Sequence, residues 1–330
     1  MLYPLLTSPE AAREIGNKFF AACRDVGFAY LINLTTAEQQ EHVNKMFQWS
    51  RTLFGLSEED KMRAARPKDP TWHRGYSGVG REQVSQMEYD PDKLAELRKV
   101  APDYKESFDL GNDAPTARLP NVWPPEEEIP ALRGFRAHAK EFFEQGLLLE
   151  KKVLKALAMG IPGAADNFFD EYHADAENQI RLLHYPGAPA EVFVSGAKGR
   201  VAPHTDFGTC TLLFQDPEDT RGGLEVEDPR KPGHFVPAPP VAGAIVFNIG
   251  DFLMRWSNDM LKSTLHRVRA PSPQEGETHT CSRYSIPYFI GADPNKKVEC
   301  IPGCYSPDRP KRYEPITVKE YIDMRMSANY

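Results

Sequence analysis

The run VAPHTDFGTCTLLFQD, residues 201–216, sets His204 and Asp206 one residue apart inside a stretch otherwise rich in Val, Thr, Leu and Phe. Read as a strand, it puts alternate side chains on one face, so the two polar groups project together about 7 Å apart along the chain. An imidazole nitrogen and a carboxylate oxygen could then reach one divalent cation. An edge strand with a solvated polar face would have the same pattern. A third ligand separates the two readings, and the nine histidines are the place to look. His42, His138 and His173 lie in charged or helical contexts and read as surface residues, and His234 and His279 read as loop residues. His266 differs, because it stands in STLHRVRA, a strand-like run behind the turn-rich GDFLMRWSND.

Two histidines and one carboxylate on one face leave three adjacent coordination positions open, the arrangement of non-haem Fe(II) oxygenases. Zinc accepts similar ligands, so the three residues alone do not settle the metal. Seventeen residues beyond His266, RYSIPYF places Arg283 and Ser285 on one strand face. An arginine directed into a sheet interior is costly unless paired, and its fork matches a carboxylate. No acid in the neighbouring strands obviously serves, whereas a bound dicarboxylate would.

These residues need a framework. Ser8 and Pro9 read as an N-cap and first position of a helix whose Ala12, Ile15, Phe19, Cys23 and Val26 share a face, ended by Gly27. FAYLI (28–32) reads as a strand, and Thr36 with Gln39 as a capping box opening a second helix that buries Val43, Met46 and Phe47. Residues 55–128 are rich in charge and turn formers, which predicts irregular structure with short strands. Apolar positions at three- and four-residue steps predict one long helix over 130–160, set against a sheet. After residue 178 come short strand patterns, IRLLHY, TCTLLFQD, GLEVED, GAIVFNI, STLHRVRA, RYSIPYFI and VECI, separated by turn residues. Thr317 and Glu320 then form a capping box for a final helix. The fold class is mixed α and β: a jelly-roll core flanked by N-terminal helices, one long helix and a C-terminal helix. One domain spans 1–330, with a mainly helical part over 1–160, the core over 178–305 and the last helix over 314–330.

Composition excludes several function classes. Of 330 residues, 41% are hydrophobic and 26% charged, and no apolar run is long enough to span a membrane. The N-terminal MLYPLLTSPEAAREIG lacks a basic segment and an apolar run, so a cytoplasmic chain is expected. The net charge of −7, with basic residues dispersed among acids, leaves no nucleic-acid footprint and favours a small-molecule partner. Oligomeric state is not legible. The five cysteines form no paired motif and read as reduced thiols. GYSGVG (75–80) has the wrong glycine order for a dinucleotide fingerprint.

Taken together, H-T-D at 204–206, LKSTLHRV at 261–268 and R-x-S at 283–285 resemble the Fe(II)/2-oxoglutarate dioxygenases of the isopenicillin N synthase-like superfamily. The resemblance runs over nearly the whole chain, through ACRDVGFAYLIN (22–33) and LLHYPG (182–187). Within it, HRGYSGVGRE, PDYKESFDLG and RGGLEV are most similar to fungal members of the thymine dioxygenase type. The resemblance implies a distorted double-stranded β-helix, Fe(II) held by His204, Asp206 and His266, and O2 as oxidant. It further implies 2-oxoglutarate bound at Arg283 and Ser285, with Tyr185 nearby, and a substrate contacted by Arg181 and flanked by Phe207 and Phe289. The period of two in IRLLHYP puts Arg181, Leu183 and Tyr185 on one face, which fits that placement. Arg181 could instead be tied to Asp175 or Glu177. Two departures stand out: the opening strand is reduced to MLYPLL, and Phe207 replaces a tyrosine, removing a hydroxyl from the substrate wall. The implied activity is oxidation of an unactivated C–H bond coupled to succinate formation, with hydroxylation ahead of desaturation or ring closure. An oxidase that needs no 2-oxoglutarate and a metal-free binding module are the rival readings.

Overall fold

The computed structural model describes residues 8–69, 71–81, 103–194, 199–271 and 273–327. Its framework begins with α1 (Pro9–Asp25), capped by the Ser8 hydroxyl, β1 (Phe28–Leu31) and α2 (Ala37–Phe54), which opens with the Thr36/Gln39 capping box. A short α3 (Glu58–Met62) and two strands, β2 (Gly75–Ser77) and β3 (Glu106–Gly111), follow in the charged region.

The expected single helix over 130–160 is divided. A 3-10 turn at Pro130–Leu132 precedes Gly134, whose φ of 93° is left-handed, and only then does α4 run over Phe135–Gly160. Glycine takes that conformation without a Cβ clash, so the chain turns there rather than continuing. With no side-chain cap of its own, α4 receives the Glu126 carboxylate, which accepts from the amides of Gly134 and Arg136.

The remaining strands are β4 (Gln179–Tyr185), β5 (Val201–His204), β6 (Cys210–Gln215), β7 (Leu224–Glu227), β8 (Phe235–Pro237), β9 (Ile245–Ile249), β10 (His266–Val268), β11 (Arg283–Ile290), β12 (Lys297–Val298) and β13 (Ile316–Thr317). Short helices α5 (Glu191–Val194) and α6 (Asp251–Trp256) interrupt them, and α7 (Val318–Ser327) follows. Thr317 and Glu320 cap α7 as expected, while the predicted extension to 328–330 and the MLYPLL segment lie outside the described residues. Of the VECI pattern (298–301) only Val298 is in a strand, β12, which begins one residue earlier at Lys297. No described helix is long and apolar enough to cross a membrane.

Two antiparallel sheets face each other. The larger has the order β1-β9-β6-β11-β4-β3-β2 and the smaller β5-β10-β7-β8. The run read as one strand over 201–216 therefore belongs to both: β5 lies in the small sheet and β6 in the large one, with the chain crossing between them at 205–209. Alternation decides what each face of the large sheet meets. Phe108, Ile180, Leu182, Leu212, Phe247, Ile286 and Tyr288 point to the helices, packing with Phe135, Phe142, Val153 and Leu157 of α4. The intervening Leu183, Tyr185 and Val246 turn toward Val201, Leu224, Val226 and Val268 of the small sheet. Burial at roughly 1.5–3 kcal/mol for each large apolar side chain holds the layers together.

One charge is caught in the helix-facing layer. Glu150 of α4 is 2% exposed, accepts from Asn178 Nδ2 at 2.5 Å through Oε2, and has no partner for Oε1. Burial, opposed by the Asn178 hydrogen bond, pushes its carboxyl up to about 8 from 4.5. Between those two values the unfolded chain has lost a proton that the native state keeps, so this residue makes stability fall as pH rises from 5 to 8. Glu150→Gln should abolish that part of the dependence and raise the urea midpoint at pH 8 more than at pH 5. Equal shifts at both values would show an ionised Glu150.

Candidate active site

The facing sheets enclose a cavity of about 560 Å³. His204 ends β5 and His266 begins β10, and the two are directly opposite in the register of that pair. Asp206 is not on a strand: β5 stops at His204, so the carboxylate comes from the crossing turn and not from the alternation expected of H-x-D. The turn is held from the large sheet, where Asp206 Oδ2 accepts from Thr211 Oγ1 at 2.6 Å and Asn248 Nδ2 at 2.7 Å. Oδ1 is left facing the histidines, 3.9 Å from His204 Nε2 and 3.7 Å from His266 Nε2.

Each ring is oriented by its other nitrogen. His204 Nδ1 lies 2.9 Å from the Ala202 carbonyl and His266 Nδ1 3.1 Å from that of Thr264. A carbonyl can only accept, so both Nδ1 atoms donate and both Nε2 atoms are turned inward. Burial and the neighbouring His266 push His204 down to about 3, keeping it neutral. Burial works to raise Asp206, but the two histidines and the Asn248 and Thr211 hydrogen bonds prevail and hold it below its ordinary value. Two imidazole Nε2 atoms and one carboxylate oxygen converging within 4.8 Å fit a divalent first-row cation.

Beside this cluster the sequence reading needs one correction. Arg283 does have an acidic partner, because Asp219, in the turn before β7, accepts from its Nε at 3.1 Å. That bond uses one edge of the guanidinium only; Nη2 is buried with no hydrogen-bond partner. Arg283 is opposite Tyr185 across β11 and β4, and its guanidinium lies 5.3 Å from the centre of that ring. A second arginine, which sequence reasoning missed, covers the same ring: Arg200 is 5.8 Å from its centre, fully buried, and donates Nη2 to the Cys281 carbonyl. Its Nε and Nη1 are also unpartnered. Of the two buried guanidiniums only Arg283 has a carboxylate partner in Asp219, and a carboxylate ligand would supply the missing charge and acceptors. Ser285 lines the cavity two positions along β11.

The period of two holds along both central strands. Gln179, Arg181, Leu183 and Tyr185 of β4 and Arg283, Ser285, Pro287 and Phe289 of β11 all line the cavity. Arg181 is tied to an acid, but one the sequence reading did not name. Its Nε and Nη2 form a two-pronged pair at 2.6 and 3.0 Å with Asp109 of β3, a fully buried carboxylate directly opposite it. Phe207 and Phe289 line the cavity as well, and Val318 and Ile322 of α7 close one side. Arg325 of α7 lies over the Phe207 ring at 4.5 Å and pairs with Asp251 Oδ2 at 2.8 Å, which also accepts from Thr205 Oγ1 at 2.9 Å. His173, expected at the surface, is half-buried, with Nδ1 on the Phe169 carbonyl and Nε2 at Thr209. Thr211, Asn248, Asp219 and Arg200 were not singled out beforehand. The one sequence signal among them is a lone Asn closing the apolar run GAIVFNI.

Comparison with known proteins follows the same division of the chain. Residues 2–126 match the family described as the N-terminal part of non-haem dioxygenases in morphine synthesis, and residues 176–292 match the 2OG-Fe(II) oxygenase superfamily. A proline hydroxylase, buaE, of Petromyces alliaceus is 36% identical, covering 94% of this chain and 92% of its own. The 2-oxoglutarate-dependent dioxygenase frbA of Dothideomycetidae sp. is 35% identical, with 92% and 88% covered. Among solved structures, full-length Neurospora crassa T7H with alpha-KG and thymine superposes with a TM-score of 0.84 at 38% identity, covering 99% of this chain and 94% of the other.

Proposed function

The chain belongs to the 2-oxoglutarate–Fe(II) oxygenase superfamily, and from that premise we propose that His204, Asp206 and His266 hold the iron and that Arg283, Ser285 and Tyr185 hold 2-oxoglutarate. The protein is a 2-oxoglutarate-dependent dioxygenase with a small-molecule substrate. When bound, iron, 2-oxoglutarate and O2 supply the oxidising chemistry that acts on a C–H bond and releases succinate and CO2. The chain's residues do the positioning. Asp206 offers one oxygen because Thr211 and Asn248 occupy the other, and the two histidines offer Nε2 because backbone carbonyls occupy Nδ1. The observation that carries the assignment is the buried, unpartnered Nη2 of Arg283, on a guanidinium that already faces the cavity. A carboxylate end of the co-substrate fits there, with Ser285 beside it and the Tyr185 ring against the cation. The relatives named as 2-oxoglutarate-dependent favour this reading over a co-substrate-free oxidase.

The substrate reading rests on Arg181. Asp109 holds one edge of its guanidinium and so fixes its plane, and Arg181 lines the same cavity as Phe207 and Phe289. A small, partly planar or carboxylate-bearing molecule, hydroxylated at a C–H bond, suits that setting. T7H is solved with thymine and buaE is named a proline hydroxylase. Phe207 has no hydroxyl to offer a polar ring edge, and Arg325 covers one of its faces, which favours an apolar contact there.

Asp206→Ala should eliminate succinate release above background while near-UV and far-UV circular dichroism stay native; wild-type turnover in this variant would sink the metal assignment. Arg283→Lys keeps the charge but loses the fork, so the 2-oxoglutarate concentration at half-maximal rate should rise at least tenfold with the Fe(II) requirement unchanged. An unchanged 2-oxoglutarate requirement would make Arg283 structural. Arg181→Lys, which leaves Asp109 with a cationic neighbour, should weaken substrate binding by about 2–3 kcal/mol, the lower part of the range for a disrupted buried charged contact. It should also lower the ratio of product to succinate, while succinate release without substrate is unaffected. Normal affinity and normal coupling would place Arg181 outside substrate contact.

A further inference from the structure

A second cluster of metal-capable side chains lies away from the cavity, where α2 crosses α4. His42 is in the second turn of α2, and His138 and Glu141 stand three residues apart on one face of α4. The two imidazoles stack with ring centres 3.9 Å apart, both half-buried. His42 Nε2 is buried without a hydrogen-bond partner, and the nearest acid is Glu141, with Oε2 4.0 Å away. His138 Nε2 lies 3.1 Å from the His42 carbonyl, so that nitrogen carries the proton and Nδ1 keeps the lone pair. The candidate ligand atoms of the three residues all lie within 4.8 Å of one another, the same convergence met by His204, Asp206 and His266.

We propose that His42, His138 and Glu141 form a second metal site, selective for zinc-class divalent cations, that ties α2 to α4. Stacked imidazoles with an unsatisfied buried nitrogen are costly in isolation, and a bound cation supplies the missing partner. Glu141 is exposed, which gives an ion an entry path and leaves a fourth position for water. Two imidazoles and one carboxylate bind Zn²⁺ more tightly than Fe²⁺ in the usual order of divalent affinities, so loading with iron need not fill this site. Its role is architectural: both helices pack on the large sheet, and the staple is separate from the turnover chemistry.

The test is calorimetric titration of zinc chloride into the metal-free full-length chain. The wild type should take two equivalents and His42→Gln one. In the His204→Ala/His266→Ala background one equivalent should remain, raise the melting temperature, and weaken at least tenfold on adding His138→Gln. Cobalt in the same background should show the visible bands of a tetrahedral site. His42→Gln should release succinate with Fe(II) and 2-oxoglutarate at the wild-type rate. A single equivalent in the wild type, or the same number in wild type and His42→Gln, overturns the site, and that comparison decides the matter even if the double variant fails to fold.

Discussion

The site depends on how the Asp206 carboxylate is divided. One oxygen is held by Thr211 and Asn248, both on the large sheet, and the other faces two histidines on the small sheet. A carboxylate with both oxygens free would rotate, and one with both satisfied would have nothing to offer a cation. The division requires β6 and β9 to be in register at Thr211 and Asn248, which are directly paired. It also requires β5 and β10 to set His204 opposite His266. The crossing turn at 205–209 joins these demands, since the amides of Asp251 and Phe252 donate to the Asp206 and Phe207 carbonyls at 2.7 and 3.2 Å. The arrangement of these three side chains is therefore set by the relation between the sheets, more than by either sheet alone.

A charge imbalance gives the cavity its second property. Arg200 and Arg283 both lie against Tyr185, are both at least 98% buried, and have Asp219 as a carboxylate partner for one of them. Arg181 presents the opposite case, its charge matched two-to-two by Asp109. The first arrangement calls for an anion from outside the chain. The second fixes a donor in place at little net charge. These differences separate a pole short of negative charge from a pole already paired within one cavity, although all three are cavity-side or sheet-interior arginines of the same chemical type.

How much of this could be read from the amino-acid order depends on the range of the interaction. The alternation of β4 and β11 is local, so the shared faces of Arg181 with Tyr185 and of Arg283 with Ser285 were legible from a period of two. The capping boxes at Thr36/Gln39 and Thr317/Glu320 were legible for the same reason. Asp206 was found for a wrong reason: its position in H-x-D suggested a strand face, whereas a turn between sheets delivers it. Asp219 and Asp109 were missed as partners because each is 64 or more residues from its arginine, and nothing in a local pattern reports such a pairing. The break at Gly134 was obscured by an apolar rhythm that continues through a turn, and β8, three residues running into Pro237, Pro239 and Pro240, has no alternation to declare it.

The same distinction explains why the reaction class is easier to read than the substrate. The candidate iron and co-substrate residues sit on strand ends and on one turn locked between sheets, where residue type and spacing are constrained together. The substrate side adds α7, whose Val318 and Ile322 meet the cavity and whose Arg325 covers Phe207. Arg325 is paired with Asp251, which in turn holds Thr205, the residue before Asp206. A helix at the far end of the chain is thus coupled by a buried ion pair to the turn that presents the carboxylate. Changes in α7 alter the substrate wall and the support of that turn at once, so substrate choice and metal geometry are not independent in this fold. Ile322 lines the cavity without a polar tie, whereas Arg325, joined to Asp251 and through it to Thr205, links that wall to the crossing turn.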